Sequence, residues 1–164
     1  MNNNDTSNEQ FSMSDEQQQF FKLLKYSNEL KQNNDHLETK DFESFKILLT
    51  FLARIEHNLH YSEKDEYLDL IKDFLTDKIT ADDFTYSFMA IYEGVTRICR
   101  KMQREESPEL ASFLKPCRSE LGKLISKIYG SCDSFSPDPT INMSDEKELK
   151  NYARILALEL QYEQ

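Results

Sequence analysis

Apolar residues recur at three- and four-residue steps through most of the chain, the period of one helix face. Residues 61–95 show it most clearly. Tyr67, Leu68, Ile71, Phe74 and Leu75 predict one helix, with Ser62 as its N-cap, because a serine hydroxyl can accept from a free backbone N–H at a helix start. Lys78 closes that run. Thr80 opens a second helix, with Asp83 at the capping-box position and Ile79 and Phe84 spaced as a hydrophobic staple. Its seam, Phe84, Phe88, Ile91, Val95, Ile98 and Met102, runs to about Gln103, the stripe of a helix in a bundle. So short a link favours antiparallel neighbours. Gly94 lies inside this helix, where glycine is unfavourable, and is expected to mark close packing or a bend.

The same period organises the flanks. Residues 1–13 are polar and Asn-rich and are expected to be a disordered tail. Ser14 and Gln17 fit a capping box for a helix to about Gln32, with Phe20, Phe21, Leu23, Leu24 and Leu30 on its apolar side. A longer helix is predicted from about Asp41 to Asn58 on Phe42, Phe45, Leu48, Leu49, Leu52 and Ile55. Ser107-Pro108 gives a cap with proline at N1 and a short helix to Leu114. Pro116 then kinks the path or starts a new helix to Tyr129, with Leu121, Leu124, Ile125 and Ile128 buried and Gly130 as the residue after its end. Residues 131–143, with Pro137 and Pro139, read as a loop. Ser144 caps a last helix whose Leu149, Ala153, Leu156 and Leu160 face inward. The fold class is therefore all-α, an antiparallel helical bundle of about four to six helices with a disordered N-terminal tail. The organisation expected is a tail (1–13), an N-terminal helical extension (14–60) and a bundle (61–164).

Charge narrows the function. The formal net charge is −10 over 164 residues, which argues against direct nucleic-acid binding and against an anionic membrane surface. No apolar run approaches the roughly 20 residues needed to span a bilayer, and the polar N-terminus shows no secretion signal. The expected compartment is the cytoplasm, or the plastid stroma for an organelle-encoded copy. Cys99, Cys117 and Cys132 form no CxxC pair and suit structural thiols in a reducing compartment.

The acid is concentrated. Residues 61–93 hold nine carboxylates against three lysines. Asp65, Asp69, Asp73 and Asp77 fall at four-residue steps, where like charges slightly destabilise a helix. A solvated face is the ordinary explanation of such a pattern; a basic protein partner is the other. The candidate partner-binding residues are Asp65, Glu66, Asp69, Asp73, Asp77, Asp82 and Asp83. Residues 94–130 are locally basic, with eight Lys and Arg against four Glu, and are expected to pair internally with the acidic hairpin; a separate phosphate site is the alternative.

Enzymatic chemistry is not expected. There is no phosphate-cradling Gly-rich loop and no GxSxG elbow. None of His36, His57 and His60 follows a Glu by three residues, as a di-iron bundle needs. His57 and His60 have a spacing that can hold a metal, but without HExxH they read as helix-end histidines suited to a C-terminal dipole. No cofactor and no metal are expected.

A family resemblance joins these residues. Tyr67-Leu68 through Phe74-Leu75, Lys78-Ile79-Thr80-Ala81-Asp82-Asp83-Phe84, Tyr129-Gly130, Asp133, Phe135, Asp138-Pro139 and Glu148-Leu149 resemble the bacterial self-protective immunity proteins of the colicin D type. The resemblance runs from about Tyr61 to the end. It implies a small antiparallel helical bundle that binds a cytotoxic nuclease domain, tRNA-cleaving in the type member, and masks its active site with acidic groups. The alternative is an interaction module that keeps the bundle without neutralising a toxin, with residues 14–60 as a face for self-association.

Overall fold

The computed structural model describes residues 13–116, 119–135 and 145–161. The expected disordered tail lies, apart from Met13, outside them, as do most of the predicted loop and the Ser144 cap. The described residues are helical, with no strand: α1 (Asp15–Gln32), α2 (Leu37–Lys40), α3 (Phe42–Ser62), α4 (Lys64–Leu75), α5 (Ala81–Arg104), a 3-10 helix (Pro108–Phe113), α6 (Ser119–Asp133) and α7 (Glu146–Gln161). The chain divides into two compact units, residues 1–48 and 49–164.

In the first unit, α1 starts at the expected capping box: Gln17 N–H donates to the Ser14 hydroxyl, and Ser14 N–H to the Gln17 side chain. Phe20 and Leu24 are buried. The helix stops at Asn33, and Asn34 takes a left-handed φ of 56°. The short α2, which the apolar pattern does not announce, follows and buries Leu37.

In the second unit, α4, α5, α6 and α7 close on themselves: α4 packs on α5, α5 on α6, α6 on α7 and α7 on α4. One core joins them, from Tyr67, Ile71 and Phe74 through Phe84 and Phe88 to Ile125, Ile128, Leu149 and Leu156. Fully burying each such side chain is worth about 1.5–3 kcal/mol. Phe74 stacks on Phe84 at 4.2 Å and Tyr67 meets Phe88 at 5.1 Å. The partner number rises on α5 as it falls on α4, so this pair is antiparallel, as the short link predicts. Leu149, Ala153, Leu156 and Leu160 of α7 all face inward, as expected.

The second half of α3 is tied to the 3-10 helix. Asn58 Nδ2 donates to the carbonyls of Phe113 (2.8 Å) and Lys115 (2.9 Å), and Arg54 Nη1 donates to that of Leu114 (3.1 Å). A helix C-terminus leaves carbonyls unsatisfied; side chains from α3 supply the donors.

Several expectations are corrected. Ser62 does not cap α4. Its hydroxyl donates backwards to the Leu59 carbonyl at 2.6 Å, and α3 runs on past Asn58 to include it. A late-helix serine can use either bond, and here the back-bond to i−3 wins. Glu63 precedes α4 with no side-chain cap hydrogen bond. Ser107 likewise makes no side-chain cap bond, although Pro108 does sit at the first position of the 3-10 helix. Along α5 the seam leaves Ile98, which is 53% exposed, and takes Cys99, which is buried. At 100° per residue Cys99 lies closer to the line of Val95 than Ile98 does. Neither Gly94 nor Gly130 marks a close approach, since a Cβ would meet nothing within 4 Å at either. Gly130 lies inside α6, which extends to Asp133, rather than after its end.

Candidate functional site

The acidic hairpin is α4, the turn at 76–80 and the start of α5. Asp65, Glu66, Asp69 and Asp82 are exposed and make no salt bridge or hydrogen bond among the described residues. The other three candidates are engaged. Asp73 is half-buried and pairs with Lys78 at 2.8 Å. Asp77 lies beyond the end of α4, with a φ of 57°, so it leaves the Asp65–Asp69–Asp73 line and pairs with Lys150 of α7 at 2.5 Å. Lys150 also holds Glu146 at 2.8 Å, and these partners, Asp77 first, raise its pKa above the ordinary lysine value. Asp83 completes the capping box that Thr80 opens on α5: its Oδ2 accepts from the Thr80 hydroxyl at 2.7 Å while Asp83 N–H donates to that hydroxyl at 3.1 Å. Asp82 and Asp83 sit in the first turn of α5, where the helix dipole favours negative charge.

One further residue belongs beside them. Tyr86 is 79% exposed, one turn along α5 from Asp82 and Asp83. A large aromatic ring with an acidic rim is the composition of an interface anchor. The apolar spacing could not reveal it, because Tyr86 falls outside the buried stripe.

The expected pairing of residues 94–130 with the hairpin does not form at six of the eight cations. Among the described residues, none of Arg97, Arg100, Lys101, Arg104, Lys115 and Lys127 forms a salt bridge with a hairpin carboxylate. The lysines that do bind Asp73 and Asp77 are Lys78 and Lys150. Asp65, Glu66, Asp69 and Asp82 are therefore left to solvent.

The histidines are also corrected. His60 is not a charged group at a helix end: it is 2% exposed, with its Nδ1 hydrogen-bonded to the Tyr67 hydroxyl at 2.9 Å. Burial, and then the neighbouring His57, push its pKa down to about 4. Its ring stacks on Tyr92 at 4.8 Å, and Tyr92 stacks on Tyr129 at 4.1 Å. His57 lies against α6 at Gly122, where a Cβ would overlap its ring. No group of three His, Cys, Asp or Glu among the described residues is placed to hold a metal. Cys99 and Cys132 are buried free thiols, pushed up by burial to about 11 and about 12 respectively; Cys117 lies outside the described residues. No helix among the described residues is long and apolar enough to cross a membrane.

The four-helix ring makes this an all-helical protein, with carboxylates on the α4–α5 hairpin. The family model for bacterial self-protective colicin-like immunity matches residues 63–159, more than half of the chain, and the chain belongs to that family. The match begins at α4 and ends within α7, so it covers the helices that form the ring. No curated protein and no solved structure matches the chain. Membership supports an inhibitor role of the bacteriocin-immunity kind, with a toxin protein as partner. Proteins of this kind inhibit rather than catalyse.

Proposed function

We propose that this protein is an inhibitor of the colicin D type that neutralises a basic, tRNA-cleaving toxin domain by occupying its phosphate-binding cleft with the α4–α5 hairpin. A nuclease must hold phosphates with lysine and arginine, and a carboxylate face can take their place and exclude RNA. The observation that carries this reading is that Asp65, Glu66, Asp69 and Asp82 are exposed and without an ionic partner among the described residues. Tyr86 supplies the apolar contact that charge alone lacks. Complementary charge speeds encounter more than it deepens affinity.

The test is stopped-flow association with a basic tRNase domain across a salt series. The Asp65→Asn/Asp69→Asn double variant is expected to associate about tenfold more slowly at low salt, with a flatter salt dependence. Asp73→Asn, whose carboxylate is already paired with Lys78, is expected to change the rate much less. Equal rates for wild type and the double variant would place the contact face elsewhere.

The second reading, an interaction module, is favoured by the compact N-terminal unit outside the family match. On it, the extension of residues 14–60, most of which lies in the first unit (1–48), carries a self-associating face. Sedimentation showing a concentration-dependent dimer, with no binding of tRNase domains, would select it.

A further inference from the structure

Three arginines of α5, Arg97, Arg100 and Arg104, are spaced at i, i+3 and i+7 and line one cleft of about 660 Å³. None forms a salt bridge among the described residues, although the protein carries an excess of carboxylates. The helix dipole accounts for Arg104 in the last turn, but its influence fades within that turn, leaving Arg97 and Arg100 unexplained. The remaining wall comes from Glu56 of α3 and Tyr129 of α6. Tyr92 and Tyr129 both line the cleft and belong to the three-ring stack that begins at buried His60. Among the described residues Tyr129 is the last ring of that stack.

We infer that this cleft binds a nucleoside diphosphate, its phosphates on Arg97, Arg100 and Arg104 and its base against Tyr129. The volume lies within the range of small-molecule pockets. Guanidinium groups match phosphate oxygens with paired hydrogen bonds. The arginines span about 10 Å along the helix axis at 1.5 Å per residue, which suits two phosphates better than one. Glu56 accepts from the Thr96 hydroxyl at 3.3 Å, and it lines the cleft together with Glu93. These carboxylates accept hydrogen bonds from a base carrying amino groups, such as guanine. At the root of the stack Tyr92 lies between two rings. A base laid on Tyr129 adds a fourth member to an ordered array.

Calorimetric titration of the full chain with GDP, pyrophosphate and inorganic phosphate tests this. GDP is expected to bind at least tenfold more tightly than pyrophosphate. Arg97→Gln/Arg100→Gln is expected to weaken GDP and pyrophosphate alike, by tenfold or more, without moving the melting temperature, since both side chains are exposed. Tyr129→Leu is expected to weaken GDP while leaving pyrophosphate unchanged. Equal affinity for GDP and pyrophosphate would reduce the cleft to an anion site and overturn the inference. So would undetectable GDP binding, or GDP binding indifferent to the arginine pair. None of these outcomes bears on toxin inhibition, which uses other residues.

Discussion

At the scale of single residues, His60 shows how the fold changes the chemistry of a side chain. An exposed histidine at a helix end would be half charged near neutrality and stabilised by the dipole. Burial beneath Tyr67 and Tyr92 instead holds this one neutral, with a pKa of about 4 against an ordinary 6.5. Between these values the unfolded chain binds the proton and the folded chain does not, so stability rises with pH. The contribution is fully present above about pH 6.5 and is lost as pH falls towards 4, amounting to about 3 kcal/mol at the low end. Urea unfolding of wild type and His60→Gln at pH 7, 5.5 and 4.5 is expected to show a steeper fall for wild type. Parallel falls would mean that His60 titrates normally. The acidic residues teach a related lesson. Their number and spacing were legible in the sequence, but their pairing was not: Lys150 reaches Asp77 from 73 residues away, a distance no local pattern reports.

At the scale of elements, helix starts were legible where a capping box marks them and not where a lone serine, Ser62 or Ser107, was read as the cap. Ser14 with Gln17 and Thr80 with Asp83 are local signals, and both capping boxes form. The ends of α1, α4 and α5 are closed by Schellman motifs, in which the residue after the cap adopts a left-handed conformation. Glycine normally marks such a site, yet here it is taken by Asn34, Asp77 and Glu106, with φ of 56°, 57° and 50°. The bonds are of the expected kind, such as Lys78 N–H to the Asp73 carbonyl at 2.9 Å and Ser107 N–H to that of Met102 at 2.9 Å. A chain with three glycines spends none of them there. Two lie in helices where a Cβ meets open space, and the third, Gly122, makes room for His57. Substitution should therefore separate them. Gly94→Ala is expected to stabilise by about 1 kcal/mol, raising the melting temperature by about 2–4 °C, and Gly130→Ala to act likewise. Gly122→Ala should destabilise by about 1–3 kcal/mol, because the His57 ring must move. Thermal melts of the three variants check this; a stabilised Gly122→Ala would show that His57 yields without cost.

At the scale of the whole bundle, α5 carries two charged clusters of opposite sign. Asp82 and Asp83 lie in its first turn and Arg97, Arg100 and Arg104 in its last two. At 1.5 Å per residue, Asp82 and Arg100 are about 27 Å apart along the axis. The Debye length is about 8 Å at physiological ionic strength and about 30 Å at 0.01 M. A cationic toxin meeting the hairpin should therefore sense the arginines only when salt is low. Arg97→Gln/Arg100→Gln is expected to leave the association rate unchanged within about twofold at 0.15 M. At 0.01 M the same variant should associate faster than wild type, because two repelling charges are gone. The Asp65→Asn/Asp69→Asn variant should instead lose rate at both salts, and most at the lower one. If the arginine variant slowed association at 0.15 M, the cleft would be part of the toxin contact, and the separation of the two ends of α5 would not describe how this protein works.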